Sequence, residues 1–481
     1  MKETSNIKFN VIFDKIKNFN LMKKILLSLI ILSIISCAEK EIPVNYAIFS
    51  GKIENSSGPT LSVRNSEKAV KDFAVQSDGT FIDTIRNIDS GYYTFKYNNE
   101  TSVFYLKPGD NINLTIDTKE FDETIKYTGI GSNENNYLAQ KYLNDENLGK
   151  LVTYKYLGTL DENAFVKITD SINQLETAYL NEQKDMDPDF KTLEEASIKY
   201  SKVNKLSKYE LYRRYYTEEK EFEVSDSYPN YNKGLNLQDE SLIEVTSYIA
   251  YLNSHYGKMA GKMVEKDSID QALAMIKTIS NEVRSTKIKD KLLYGAARYG
   301  VSYTKDLQNY YDIFMANSTV EDHKNDVTEK YKKLIKLAKG QPSPKFNDYE
   351  NFKGGTTSLD DLKGQYVYVD VWATWCGPCK REIPYLKEVE KSYHGKNIAF
   401  VSMSIDVKND HGKWLNMVEE KELGGIQLFA DSDWKSQFVT DYAIQGIPRF
   451  ILIDPNGNIV DSNAPRPSDS KLTDLFDELE I

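Results

Sequence analysis

A strand that leads directly into two cysteines at the start of a helix constrains this chain more than any other feature. Residues 366–372 are almost all β-branched or aromatic, as expected of a strand buried on both faces. Cys376 and Cys379 follow closely, and apolar residues then recur at helical spacing from Ile383 onwards. This order predicts an α/β domain with both cysteines at the turn between the strand and the helix.

A cysteine at the start of a helix loses its thiol proton more readily. The unpaired N–H groups and partial positive charge of the helix start stabilise a thiolate, so cysteines in such pairs have pKa values of roughly 3.5–7.5. Cys376, at the exposed end, is predicted to be the attacking thiolate. Cys379, one turn further along, is predicted to resolve the mixed disulfide. The pair therefore predicts a redox disulfide.

Zinc is the alternative use of two cysteines at this spacing. A structural zinc site needs four ligands, usually from a second pair of Cys or His. The chain has one other cysteine, Cys37, near its start, and four scattered histidines. The sequence therefore predicts no metal site, and we expect no cofactor.

The segment around the cysteines resembles a known family. Residues 369–380 read Val-Asp-Val-Trp-Ala-Thr-Trp-Cys-Gly-Pro-Cys-Lys, which is similar to the active-site string of the thioredoxin superfamily. Residues 340–346 and 359–364 look like the entry segment of the TlpA/ResA-like reductases, which are extracytoplasmic and membrane-tethered. The resemblance covers residues 341–481 and implies a C-terminal thioredoxin fold with thiol–disulfide oxidoreductase activity.

The resemblance also implies two proton acceptors. Asp370 matches the buried acid behind the thioredoxin disulfide, and Glu382 matches the glutamate of the TlpA/ResA-like group. A carboxyl desolvated beside the sulfur atoms has a raised pKa and can accept the proton of the resolving thiol. For Glu382, the alternative is a solvated acid that complements the helix dipole.

A second loop of the family matches residues 446–448, Gly-Ile-Pro. Thioredoxin-like proteins place a cis-proline loop here, facing the disulfide, and its backbone pairs with the substrate peptide. X–Pro bonds are the only common cis bonds, although an ordinary proline at a strand entry is the alternative. Pro448 is thus a predicted catalytic residue, and Trp375 is predicted to form an apolar rim beside Cys376. The predicted substrate-binding residues are Trp375, Gly377, Pro378, Ile447 and Pro448.

The dipeptide between the cysteines indicates the direction of electron flow. Gly377-Pro378 is the thioredoxin choice, and thioredoxin is reducing, at about −270 mV against roughly −120 mV for the oxidant DsbA. We therefore expect protein disulfides as substrates and, by resemblance, a membrane electron donor of the DsbD type. One alternative is a thioredoxin-fold peroxide reductase, although peroxiredoxins use Thr-x-x-Cys and position 373 is Ala. Another is a partner-binding lipoprotein with an accessory redox site.

The start of the chain predicts an export signal. A basic stretch at residues 22–24 precedes an apolar run over residues 25–35, which is shorter than the about 20 residues that span a bilayer. Residues 34–37, Ile-Ile-Ser-Cys, resemble the lipobox of bacterial lipoproteins, in which the cysteine is acylated. Residues 1–37 are thus a predicted signal peptide, with lipidation at Cys37 and membrane anchoring on the periplasmic side. An ordinary signal peptide is the alternative, and translation from Met22 rather than Met1 stays open.

Two further regions precede the thioredoxin-like one. Residues 44–130 contain alternating strands separated by turn formers and predict a small antiparallel β-domain, similar to a β-domain of unknown function in many bacterial lipoproteins. Residues 131–339 show helical spacing and predict a helical domain, as a spacer or a partner-docking surface. Residues 340–344, Gly-Gln-Pro-Ser-Pro, cannot continue a helix and predict the boundary with residues 341–481.

Length and charge agree with this multidomain architecture. A chain of 481 residues is too long for one ordinary core. The formal net charge of −11 argues against nucleic-acid binding, because neutralising phosphates needs a basic surface.

Overall fold

The computed structural model describes residues 44–66 and 68–481. The predicted signal peptide and the predicted lipidation site Cys37 lie outside these residues. The described chain forms two compact units. The first contains the residues up to Thr153 together with Gln183–Asp187, and the second contains Tyr154–Glu182 and Pro188–Ile481.

The first unit is built on two four-stranded sheets, with strand orders β4-β1-β7-β8 and β3-β2-β5-β6. Its strands are β1 (Tyr46–Glu54), β2 (Thr60–Arg64), β3 (Ala69–Ala74), β4 (Thr80–Arg86), β5 (Gly91–Tyr97), β6 (Glu100–Leu106), β7 (Asn111–Asp117) and β8 (Lys126–Ile130). Buried phenylalanines from both sheets meet around Phe49, whose ring lies 5.5 Å from that of Phe73 and 5.0 Å from that of Phe104. Alternating residues of the strands therefore supply one shared core.

The pairing of β1 with β7 corrects the prediction of a purely antiparallel β-domain. These two strands run parallel, with Phe49 opposite Ile112, whereas the other strand pairs of this unit are antiparallel. Parallel neighbours need a crossover connection, and here the chain completes the second sheet before β7 returns to β1. Alternation of side chains within one strand carries no information about this direction.

Two helices follow in the first unit, α1 (Phe121–Thr124) and α2 (Ser132–Leu151). Asn135 of α2 binds the backbone of Tyr105 on β6 from both sides. Its side-chain oxygen accepts from the Tyr105 N–H at 2.7 Å, and its amide donates to the Tyr105 carbonyl at 2.8 Å. A buried asparagine thus takes the place of a neighbouring strand. The boundary that the sequence predicts after residue 130 falls directly before this helix, whereas the first compact unit continues to Thr153.

The second unit begins with helices and ends with a sheet. The helices before the sheet are α3 (Tyr154–Thr159), α4 (Glu162–Glu182), α5 (Pro188–Ser207), α6 (Tyr209–Tyr216), α7 (Thr246–Asp267), α8 (Gln271–Glu282), α9 (Thr286–Gly300), α10 (Leu307–Asn317) and α11 (Glu321–Leu334). Short 3-10 turns occupy Glu240–Leu242, Ile335–Leu337, Leu359–Leu362, Lys408–Asp410 and Asp433–Lys435. Over the part of the chain that the structure describes, no helix is both long enough and apolar enough to cross a membrane.

A seven-stranded sheet, in the order β10-β9-β13-β12-β11-β14-β15, forms the C-terminal part of the second unit. Its strands are β9 (Tyr349–Asn351), β10 (Thr356–Thr357), β11 (Tyr366–Trp372), β12 (Ile398–Ser404), β13 (Ile426–Phe429), β14 (Arg449–Ile453) and β15 (Ile459–Asp461). Its helices are α12 (Gly377–Ser392), α13 (His411–Glu420), α14 (Gln437–Asp441) and α15 (Lys471–Glu478). β11 lies inside the sheet, parallel to β12 and antiparallel to β14.

The helices and this sheet share one hydrophobic core. Tyr248 of α7 and Leu293 of α9 belong to the same buried cluster as Val369 of β11 and Ile451 of β14. The Gly-Gln-Pro-Ser-Pro stretch at residues 340–344 is held against the sheet as well. Gly340 N–H donates to the Ile459 carbonyl at 2.7 Å, and Ser343 N–H donates to the Gly457 carbonyl at 2.9 Å. The stretch ends the helices, as its prolines predict. It also forms hydrogen bonds with the hairpin between β14 and β15.

Candidate functional site

The two cysteines lie where β11 ends and α12 begins. Cys376 is the N-cap of α12, and its backbone φ and ψ are extended. Gly377 and Pro378 form the first turn, where a proline costs nothing because its missing N–H would have no helical partner. The sequence Cys-Gly-Pro-Cys therefore starts the helix with the two cysteine residues one turn apart along the chain.

The two cysteines form a disulfide, with their Cα atoms 5.3 Å apart. The backbone N–H of Cys379 donates a hydrogen bond to the Cys376 Sγ at 3.1 Å. In the reduced protein, this N–H and the helix dipole favour negative charge at the same sulfur. The geometry therefore makes Cys376 the thiol whose anion is stabilised.

Solvent exposure does not distinguish the two cysteines, contrary to the expectation that Cys376 is the exposed one. Cys376 is 3 % exposed and Cys379 is 4 % exposed, because the disulfide is drawn into the core at the end of the sheet. The exposed neighbour is Trp375, at 54 %. Its ring centroid lies 6.4 Å from that of Trp434, which is also on the surface. Trp375, the predicted apolar rim, therefore lies in a pair of exposed tryptophans, and Trp434 carries no local sequence signal.

Asp370 lies in β11 and is buried, and its Oδ1 has no hydrogen-bond partner. Burial raises the pKa of this carboxyl to about 8, and the charges of Glu382 and Glu390 contribute further. Asp370 and Cys379 line the same small cavity of about 10 Å³. A cavity of this size is near the minimum for one water molecule. The arrangement places a carboxyl with a raised pKa in the cavity that Cys379 also lines.

Glu390 is a further acid at this cavity that sequence reasoning missed. Burial raises its pKa to about 7, against a lowering by the charge of Lys387. It follows Ile383 and Leu386 on the face of α12 that carries Cys379, so all of them line the cavity. A glutamate at this position of an otherwise apolar helix face is the signal that would have identified it.

Glu382 is buried and accepts hydrogen bonds from the C-terminal segment. Its Oε2 accepts the Ser468 N–H at 3.0 Å, and its Oε1 accepts the Ser468 hydroxyl at 3.0 Å. Arg466 lies 3.5 Å from Oε1. The solvated alternative does not describe this residue, since it is only 6 % exposed. Its role as a proton acceptor stays a prediction, and both of its oxygens already hold hydrogen bonds.

The loop of Ile447 and Pro448 is placed at the same end of the sheet as the disulfide. The Ile447–Pro448 peptide bond is cis. β14 begins at Arg449, which lies opposite Val371 in antiparallel register. Because β11 ends one residue after Val371, Pro448 precedes β14 at the edge where the cysteine loop leaves β11.

A buried carboxylate, from a residue that follows β12, holds the cysteine loop. Asp406 accepts three hydrogen bonds, from the Thr374 N–H at 2.9 Å, the Thr374 hydroxyl at 2.7 Å and the Ser404 hydroxyl at 2.7 Å. All three residues are buried. Sequence reasoning missed this network, because no motif links Thr374 to a residue that follows β12.

Replacing Asp406 with alanine is expected to lower the free energy of unfolding by about 3 kcal/mol, because two buried Thr374 donors lose their partner. Urea unfolding followed by tryptophan fluorescence measures this, since all four tryptophans lie between residues 372 and 434. Asp410→Ala is the matched control, because Asp410 makes only a surface ion pair with Lys413 and little change is expected. Equal stability of the two variants would contradict the structural role of Asp406.

Metal binding finds no support among the residues described. Over residues 44–66 and 68–481, no three His, Cys, Asp or Glu side chains are grouped to hold a metal ion.

Comparisons with known proteins cover this C-terminal region. A family model described as Redoxin matches residues 338–478. The thiol-disulfide oxidoreductase ResA of Bacillus thuringiensis is 29% identical over 126 residues, which are 26% of this chain and 69% of that protein. ResA of Bacillus subtilis is 27% identical over 124 residues, 26% of this chain and 66% of that protein. The thioredoxin domain of a Bacteroides vulgatus thiol-disulfide oxidoreductase is 30% identical, with 30% of this chain and 98% of that chain covered and a TM-score of 0.27.

Proposed function

Because its C-terminal region belongs to the TlpA/ResA-like thiol–disulfide oxidoreductases of the thioredoxin superfamily, we propose that this chain reduces protein disulfides outside the cytoplasm. The observation that carries the proposal is the Cys376 Sγ at the N-terminus of α12, where it accepts the Cys379 N–H. We propose that this dithiol is the redox centre and that Cys376 is the attacking thiol.

The reduction proceeds by two exchanges. The Cys376 thiolate attacks one sulfur of the substrate disulfide, so a mixed disulfide forms and the first substrate thiolate leaves. The Cys379 thiolate then attacks the Cys376 sulfur, which breaks the mixed disulfide and releases the second substrate thiolate. Two electrons pass to the substrate, and the enzyme is left with the Cys376–Cys379 disulfide that the structure contains.

Asp370 is the proposed acceptor for the proton of Cys379. Its carboxyl lines the cavity that Cys379 also lines, and its Oδ1 is free to accept. A base is most effective when its pKa is close to the working pH, and the pKa of about 8 meets this condition. Glu382, with both oxygens bound by Ser468, is less suited to this role.

The substrate is proposed to lie between the tryptophan pair and the loop of Ile447 and Pro448. Trp375 and Trp434 offer exposed aromatic surface for the apolar side chains of a polypeptide. The backbone of Ile447 would pair with the substrate next to its disulfide. Gly377 and Pro378 complete the surface around Cys376.

The cellular setting is part of the proposal. A lipid anchor at Cys37 would hold the enzyme at a membrane on the periplasmic side, and a membrane electron donor of the DsbD type would reduce its disulfide again. Labelling cells with a fatty-acid analogue tests the anchor: we expect label on the full-length chain and none on the Cys37→Ala variant. Equal labelling of the two would reject Cys37 as the anchor site.

Insulin reduction tests the proposed activity. The purified reduced protein is expected to cleave the disulfides between the insulin chains, which precipitate as turbidity, with dithiothreitol as the source of electrons. The midpoint potential of the Cys376–Cys379 pair, measured against glutathione, is expected to lie nearer to about −270 mV than to about −120 mV. A potential near the higher value would overturn the reducing direction, and turnover of hydrogen peroxide without insulin reduction would overturn the substrate class.

A further inference from the structure

A loop in the helical part of the second unit forms hydrogen bonds with the chain on both sides of Ile447 and Pro448. This loop, residues 301–306, connects α9 to α10. The Tyr303 hydroxyl donates to the Gly446 carbonyl at 3.3 Å, directly before the two residues. Arg449, directly after them, donates two hydrogen bonds to the Ser302 carbonyl, both at 3.0 Å. We call Ser302, Tyr303, Gly446 and Arg449 the loop clamp.

Arg449 is the buried centre of the loop clamp. It is 3 % exposed, and burial lowers the pKa of its guanidinium. Besides Ser302, it donates to the Asn463 Oδ1 at 2.7 Å, and its guanidinium carbon lies 4.7 Å from the centre of the Tyr303 ring. A guanidinium withdrawn from water is costly unless its partners are fixed, so these contacts hold the start of β14 in one place.

Gly446 makes room for the hydroxyl. A Cβ atom at this position would lie 3.0 Å from the Tyr303 Oη. This distance is closer than an ordinary contact, so any side chain at 446 would push the tyrosine away from the carbonyl. The absence of a side chain and the hydrogen bond are therefore parts of one arrangement.

The loop clamp acts on the segment that the proposed function assigns to substrate binding. Antiparallel register places Arg449 opposite Val371, so the clamped segment lies beside the cysteine loop. We propose that Tyr303 and Arg449 are positioning residues, which fix the backbone of Ile447 so that it pairs with a substrate polypeptide. The helical region is then a part of the substrate site and more than a spacer. This inference rests on the proposed reduction of protein disulfides.

Comparing two substrates distinguishes an effect on substrate positioning from an effect on the dithiol or on folding. Insulin needs backbone pairing at Ile447, whereas the small disulfide 5,5′-dithiobis(2-nitrobenzoic acid) needs only the dithiol. In Tyr303→Phe, one neutral hydrogen bond is lost, so we expect the KM for insulin to rise about three- to tenfold with little change in kcat. The rate with the small disulfide and the midpoint potential are expected to stay those of the unchanged protein. Gly446→Ala is expected to act in the same direction.

Tyr311→Phe is the matched control. It also removes a tyrosine hydroxyl from the helical region, but that hydroxyl pairs with Thr328 at 3.0 Å, within the helices. We expect its KM for insulin to be unchanged.

Three outcomes would overturn the inference. The first is an unchanged KM for insulin in Tyr303→Phe, and the second is an equal loss with both substrates, which would place the effect on the dithiol or on folding. The third is an equal rise of KM in Tyr311→Phe, which would make the effect general to the helical region. Failure of the proposed function is a different result, in which the unchanged protein reacts with the small disulfide and leaves insulin intact.

Discussion

Cys379→Ser is expected to stop turnover and to leave the substrate covalently bound to Cys376. The first exchange needs only Cys376, whose sulfur lies at the helix N-terminus and accepts the backbone N–H of residue 379. That N–H belongs to the backbone, so serine at this position retains it. The second exchange has no thiol to carry it out, so we expect insulin reduction to fall about a thousandfold or more.

The order of attack is tested by the reciprocal variant. Cys376→Ser is expected to lose turnover to the same extent and to form no stable adduct, because the remaining thiol lacks the stabilising N–H. Mass spectrometry of the protein after mixing with a disulfide peptide measures the adduct in both variants. An adduct on Cys379 in Cys376→Ser and none in Cys379→Ser would reverse the assigned roles, and activity retained by Cys376→Ser would reject the mechanism.

The same variant identifies the client. Full-length Cys379→Ser, expressed in cells, is expected to hold its substrates as mixed disulfides that a reducing agent releases. Cys376→Ser is the control for proteins that bind without exchange. Proteins released only from Cys379→Ser are candidate substrates, and their absence would count against reduction of protein disulfides as the cellular function.

Individual strands could be predicted from the sequence, because a strand's side-chain pattern involves only residues that are neighbours in the chain. The β-branched and aromatic run at residues 366–372 predicts a strand, and β11 has the same bounds. In the predicted β-domain, residues 81–85 and 112–116 alternate apolar and polar side chains, which predicts strands, and they lie within β4 and β7. Each of these predictions needs only the side-chain period of one strand and is confirmed.

Contacts between distant residues could not be predicted in this way. The parallel pairing of β1 with β7 depends on where the chain passes between them, and strand periodicity does not record it. The hydrogen bonds from Thr374 to Asp406 join the segments that follow β11 and β12, and both residues are of common polar types. Glu382 is easily recognised in the sequence, but its partner Ser468 lies in a segment without a motif.

Asp370→Asn is expected to stabilise the oxidised protein at pH 7 by about 4 kcal/mol. The pKa of Asp370 is raised from 3.8 to about 8, chiefly by burial. At pH 7 the unfolded chain holds an ionised carboxyl whereas the folded chain keeps it protonated, so folding must take up a proton. pH 7 lies about three units above the unfolded pKa, and each unit corresponds to about 1.4 kcal/mol. Asparagine removes this requirement.

The pH dependence follows from the direction of the shift. A folded pKa above the unfolded one gives a contribution to stability that is complete below about pH 3.8 and is lost as the pH rises to about 8. The difference between Asp370→Asn and the unchanged protein should therefore be small near pH 4, grow up to about pH 8 and then stay constant. Urea unfolding followed by tryptophan fluorescence at several pH values measures it. Asp441→Asn, which replaces an exposed acid, is the control and should show no such trend.

Glu390→Gln tests the cause of the shift. The charge of Glu390 contributes to raising the pKa of Asp370, so its removal should lower that pKa and move the end of the stability trend to lower pH. Burial is the larger cause, so the shift should persist in part. A trend that does not move would remove Glu390 from the electrostatics of the cavity.

If Asp370→Asn is more stable but resolves the mixed disulfide more slowly, Asp370 takes part in proton transfer and does not serve stability alone. If Asp370 accepts the proton of Cys379, the resolution of the mixed disulfide should speed up as the pH rises towards about 8, where the carboxyl becomes ionised. Asp370→Asn should lose that rise and resolve the mixed disulfide about a hundredfold more slowly at pH 7. Stopped-flow measurement of substrate release gives this rate. A variant with higher stability and an unchanged rate would assign Asp370 to neither proton transfer nor packing, and Glu382 would then be the acid to replace next.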